Sequence, residues 1–258
     1  MKILGQVVSD KAAGIISDIE NQLSKPVIYE FTDSSKTSVY GQSDPYQTKA
    51  YYVRSKESLT YITKSNMVNI PFETNIIHEL SHLCQIEEGF PYTSTLSNSI
   101  TNRNIESYNI LGSVVVSLIL DLNVDYRLKN NGYTSEYFYK ERLRKAKKAA
   151  KEWGAITNSY DFVFMAFQLV GIRLLSPREE ALGALNLYKD ANPGLVNCVE
   201  ELSSKINEIG YNDASSAFEC LVYIFNKINL WSTFSIFYKN VNYISTEAVL
   251  KDYPDIHI

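Results

Sequence analysis

The chain has 258 residues, 45 % of them apolar, and a net charge of −4. That length supports one large domain or two closely packed lobes with a real core. The mild acidity excludes a general electrostatic pull toward nucleic acid or an anionic membrane. The cysteines, Cys84, Cys198 and Cys220, are odd in number and widely spaced, with no C-x-x-C pair. This suits free thiols in a reducing compartment. The N-terminus lacks the apolar core and cleavage site of a secretion signal. The most apolar run, 111–120, is about half the length a membrane span needs and is interrupted by Gly112, Ser113 and Ser117. A cytoplasmic protein without a membrane partner is the expectation.

In chain order, Val7, Val8, Ile15, Ile16, Ile19 and Leu23 recur at loose helical spacing and predict a helix over 5–24, ended by Pro26. Three runs rich in Tyr, Val, Ile, Phe and Thr, at 27–32, 50–54 and 59–63, predict strands. The stretch 41–45, with its glycine and proline, reads as a loop. A helix starts near Pro71, since proline suits a first turn, and runs to about Ile86, stopped by Gly89 and Pro91. A polar loop at 92–104 leads into a long helix over 105–129, closed by Asn130-Asn131-Gly132. From 135 to 250 the pattern is almost all helical, with breaks near 154–158, 176–177, 192–194 and 210–213. The fold class is therefore α+β and mostly helical: a small N-terminal mixed sheet and a helix in 1–95, then an all-helical lobe in 96–258. No linker separates the two, so one compact unit is expected.

The chemistry lies in His78-Glu79-Leu80-Ser81-His82. Four residues advance a helix by a little over one turn, so the two imidazoles share a face. That is the spacing two nitrogens need to bind one Zn²⁺ at about 2.0–2.1 Å each. Glu79 is offset in angle and can reach a metal-bound water rather than the metal. Apolar flanks at Ile76, Ile77, Leu80 and Leu83 make the helix one that can be buried. The blander alternative is a core helix with two incidental histidines.

A catalytic zinc usually takes three protein ligands and keeps one open position. The remaining histidine, His257, is next to the last residue and reads as a tail. On the 105–129 helix, Val114, Leu118, Asp121, Asp125 and Leu128 form one stripe, which turns two aspartates inward. Buried carboxylates need a metal, a cation or hydrogen bonds. An ion pair with Arg127 or Arg103 would also meet that need. Glu106, Glu87 and Glu88 are the other candidate ligands.

The H-E-x-x-H helix behind a small sheet resembles the zincin metallopeptidases, over about half the chain. Asn75 stands where that family often has Val or Thr. The resemblance implies zinc-dependent hydrolysis of peptide bonds with one Zn²⁺, a protein or peptide substrate laid along a sheet edge, and Glu79 as general base. In the gluzincin branch a later helix carries E-x-x-x-D. Here the pattern is D-x-x-x-D, which implies Asp121 as ligand and Asp125 as the partner orienting a histidine, with the roles open to reversal. An oxyanion-stabilising group is expected among Tyr108, Tyr126, Arg127 and Tyr133. Small zincins of bacteria and phages often cut one specific protein. Two other readings stand beside this one: a non-catalytic zinc-binding regulatory module on the same scaffold, and a zinc amidohydrolase of a non-peptide substrate. The basic run over 140–151, including Lys140, Arg142 and Lys148, reads as a solvated helix face rather than a nucleic-acid site.

Overall fold

The computed structural model describes residues 1–24, 26–32, 39–43, 50–55, 70–96, 105–134 and 136–256. It divides into two units, each with its own core: Met1–Glu88 with Val124–Ser135, and Gly89–Asn123 with Glu136–Ile258.

The first unit opens on a hairpin, β1 (Lys2–Ile3) and β2 (Gln6–Val7). The two residues between them, Leu4 and Gly5, both take positive φ, at 48° and 79°. That backbone matches the twist of a two-residue hairpin and cannot belong to a helix. The helix predicted from residue 5 therefore begins later, as α1 (Asp10–Gln22). Ser9 starts it by accepting from the Ala12 N–H at 3.2 Å. Val7, counted as helical by its spacing, lies in β2 and is largely exposed.

Next come β3 (Val27–Thr32), β4 (Val39–Ser43) and β5 (Ala50–Ser55), in the order β3-β5-β4. β3 and β5 run parallel and β4 is antiparallel to β5, so the sheet is mixed. The predicted loop at 41–45 is strand through Ser43, with Gly41 opposite Tyr52. Its neighbours Val39 and Tyr40 favour an extended chain, which outweighs the glycine's turn signal. The predicted strand at 59–63 lies outside the described residues.

Helix α2 (Ile70–Glu87) packs against α1, β4 and β5. Phe72, Ile76, Ile77, Leu80 and Leu83 are buried with Ile16 of α1. These positions cover much of the helix circumference, which marks a helix enclosed by its neighbours. Glu73, in its first turn, is 4 % exposed and fastens α1 to it. It accepts from the Ser9 N–H at 2.6 Å, the Ser9 hydroxyl at 3.0 Å and the Tyr133 hydroxyl at 3.1 Å.

Helix α3 (Ile105–Asn130) is unbroken and runs through the boundary of both units. Val124 and Leu128 join the first core, and Leu111 to Leu122 supply the second. It stops where expected. Gly132 takes φ 66°, and the Tyr133 N–H returns to the Leu128 carbonyl at 2.9 Å.

The second unit holds α4 (Glu136–Trp153), α5 (Ser159–Leu175), α6 (Arg178–Asn186), α7 (Pro193–Ile209), α8 (Ala214–Lys227) and α9 (Thr246–Asp252). The four predicted breaks all fall at junctions between helices, while the ends of α6 at Asn186 and of α8 at Lys227, and both ends of α9, were not predicted. Asn158 and Asp213 cap α5 and α8, Pro193 opens α7 and Gly210 closes it. The lobe is not all-helical, however. β6 (Tyr92–Thr95), β7 (Phe234–Tyr238) and β8 (Val241–Tyr243) form an antiparallel sheet in the order β6-β7-β8. β7 is buried along nearly its whole length, so it lacks the alternation that announces a strand. β6 falls inside the stretch expected to be loop. Its pairing partner is about 140 residues away, which no local pattern reveals. Among the described residues, no helix is long and apolar enough to cross a membrane.

Candidate metal centre

Helix α2 sets the histidine pair. His78 is 8 % exposed and His82 is half-buried one turn later. Their Nε2 atoms are 3.2 Å apart, and the rings meet nearly perpendicular, at 84° with centroids 4.8 Å apart. Two nitrogens bound to one tetrahedral zinc at about 2.0–2.1 Å are separated by about 3.3–3.4 Å. The observed spacing is therefore close to one edge of such a tetrahedron, so the pair fits a zinc ion. Glu79, between them in sequence, is also half-buried.

A side chain that the sequence reading passed over completes this face. Gln85 is 1 % exposed, and its Oε1 lies 2.8 Å from His82 Nδ1. It stands three residues beyond His82, a spacing at which helical side chains meet. That rule was the signal available in the sequence.

His78 and His82 belong to the first unit, and Asp121, the residue expected as their third ligand, belongs to the second. Asp121 lies one turn before Asp125 on α3. Its carboxylate also pairs with Arg142 of α4. The expected cation partners were Arg127 or Arg103. Instead, Arg127 is bound to Glu88 in the first unit, and Arg103 lies outside the described residues. Arg142, read as part of a solvated face, has a side chain only 19 % exposed. A Cβ on Gly171 of α5 would stand 2.6 Å from its Nη1, so the guanidinium crosses α5 where there is no side chain.

Asp125 is buried and pairs with Lys129 one turn on. Glu87 accepts from the Ser24 hydroxyl at 2.8 Å on the surface, and Glu88 holds Arg127. Of the oxyanion candidates, Tyr133 is bonded to Glu73 and Tyr126 is exposed. The side chains of Glu106 and Tyr108, and all of His257, lie outside the described residues.

The rest of the basic run is solvated, as expected. Lys140 pairs with Glu136, Arg144 with Glu141 and Lys148 with Glu152 along α4. All three cysteines are free. Burial pushes the Cys84 thiol up to about 11, which makes it inert at neutral pH. A groove of about 440 Å³ in the second unit, lined by Tyr92–Thr95, Gly112, Ser113, Val116 and Ser117, includes none of the predicted site residues.

No protein-family model, no curated protein and no solved structure matches this chain.

Proposed function

We propose that the chain is a zinc-dependent metallopeptidase. The observation that carries this reading is the His78–His82 pair, whose Nε2 atoms stand 3.2 Å apart on α2 with Glu79 beside them. In this reading His78, His82 and Asp121 hold the ion. When bound, zinc supplies a Lewis acid and lowers the pKa of a coordinated water to about 7. Glu79 would act as general base and then general acid, accepting a proton from the attacking water and returning it to the leaving amine. Arg142 keeps the Asp121 carboxylate in place, and Asp125 is the alternative ligand. The H-E-x-x-H resemblance supports a peptide as the substrate.

One observation favours a second reading, a non-catalytic module that holds no metal, unlike the zinc-binding one considered above. The Arg142 pair satisfies the Asp121 charge without any metal. Metal analysis of wild type beside His78→Ala, Asp121→Ala, Asp125→Ala and Arg142→Met separates the two. Stoichiometric zinc is expected in wild type and is expected to be lost in His78→Ala and Asp121→Ala. Full retention by Asp121→Ala removes Asp121 from the ligand set, and a metal-free wild type sinks the zinc reading. Glu79→Gln is expected to keep zinc while losing about 100-fold or more of peptide cleavage, the usual worth of a general base. Equal cleavage by this variant refutes the base role.

A further inference from the structure

We propose that Gln85 is a positioning residue that holds His82 as its Nδ1–H tautomer, leaving the Nε2 lone pair facing His78. The ring itself does not fix which nitrogen carries the proton. The hydrogen bond made by the other nitrogen decides it. Here the neighbour of Nδ1 is an amide oxygen at 2.8 Å, which can only accept. The Nδ1 site must therefore carry the proton. Gln85 is 1 % exposed, so no bulk water competes for that bond.

A consequence reaches His78. If His82 Nε2 is a bare lone pair, the 3.2 Å contact between the two Nε2 atoms requires His78 to donate from its own Nε2. The two histidines are therefore of opposite tautomer in the metal-free protein: His82 ready to ligate, His78 closed until its Nε2 proton leaves. This asymmetry cannot come from the motif, whose two histidines are equivalent in sequence. It comes from the residue three places after the second one. The tautomer assignment concerns the metal-free protein and stands by itself. Its effect on zinc affinity rests on the zinc reading above.

The test is long-range ¹⁵N–¹H NMR of histidine rings in the metal-free protein, at a pH where both imidazoles are neutral. Wild type, Gln85→Met and Gln85→Glu are compared, each checked for folding by near-UV circular dichroism. In wild type His82 is expected as Nδ1–H and His78 as Nε2–H. Gln85→Met is expected to release His82 from that single state, and Gln85→Glu, which also only accepts when ionised, to restore it. Chelator competition then reads zinc affinity. A loss of about 10–100-fold is expected in Gln85→Met, the usual effect of removing a partner of a ligating histidine, with recovery in Gln85→Glu. Wild-type His82 carrying its proton on Nε2 overturns the proposal. So does a Gln85→Met variant with an unchanged His82 tautomer. A wild type with the expected tautomers that binds no zinc supports the Gln85 assignment while the zinc reading fails.

Discussion

Replacing Glu73 tests what holds the histidine-bearing helix in place. The Glu73 carboxylate is buried and receives three hydrogen bonds: two from Ser9, at 2.6 and 3.0 Å, and one from Tyr133, at 3.1 Å. Hydrogen bonds to a charged group contribute about 1.5–3 kcal/mol each, less what desolvating the carboxylate costs. Glu73→Met keeps most of the volume and removes both acceptor oxygens, and with them all three hydrogen bonds, leaving the Ser9 N–H and the Tyr133 hydroxyl without this partner. The expected loss is about 3 kcal/mol. Glu73→Gln retains one oxygen for the Ser9 N–H, while both hydroxyls can turn to accept from the new amide. About 1 kcal/mol is expected there. At roughly 2–4 °C per kcal/mol for a chain of this size, the methionine variant melts about 6–12 °C lower. Thermal and urea unfolding give the totals, and amide exchange locates the effect. Protection in α1 is expected to fall first, because its first turn hangs on Ser9. Stability within 0.5 kcal/mol of wild type (about the scatter of an ordinary surface change), or unchanged exchange in α1, would falsify the assignment of Glu73 as the anchor.

Two further perturbations act on the second unit. Gly112→Ala places a Cβ 2.9 Å from Cε1 of Phe234, a ring that is 1 % exposed, so the ring must shift inside a packed core. Overpacking of this kind costs about 1–3 kcal/mol, and a denaturation midpoint equal to wild type would show that the core gives way freely. Alkaline stability is the other. Burial pushes Cys220 from 9.0 up to about 12 and Tyr188 from 10.0 up to about 12. Above the ordinary values the unfolded chain releases these protons and the folded chain keeps them. The stabilisation is thus fully present below pH 9 and is lost as pH rises toward 12. Each group contributes a slope of about 1.4 kcal/mol per pH unit in its window. Between pH 9 and 10 Cys84 and Cys198, also raised by burial, act alongside Cys220, so Cys220→Ala is expected to make that part of the curve shallower by one group's share, and an identical slope argues against it.

The helices were legible because their ends are written locally. A proline opens α7, side-chain caps open α5 and α8, and glycines close α3 and α7. These signals act over a few residues and need no knowledge of the fold. The strands of the second unit were not legible, for two separate reasons. Phe234–Tyr238 is buried on both faces and so shows no period of two. Its turn uses Lys239 and Asn240 at φ 47° and 64°, where an asparagine–glycine pair would have announced a hairpin. At the N-terminus the phase misleads: Val7 and Val8, before the Ser9 cap, continue the spacing of Ile15, Ile16 and Ile19 after it.

The site divides along the same line. The histidine pair is a property of helical geometry, so five residues of sequence were enough to place both rings on one face. The aspartates were read from burial, and burial constrains charge rather than chemistry. A half-buried carboxylate asks for a positive partner, and the fold answers for Asp121 with Arg142, from a different helix and past a glycine of a third. It answers for Asp125 with Lys129. Either partner makes the carboxylate tolerable without an ion, so the inward stripe on α3 does not discriminate a metal ligand from an ion pair. The imidazoles do. Two neutral rings gain a single hydrogen bond from their 3.2 Å contact, whereas that same separation is nearly the ligand–ligand edge of a zinc tetrahedron. The proposal of a metal therefore rests on His78 and His82, with Gln85 behind them, and Asp121 would join them only as far as Arg142 leaves it an oxygen to offer.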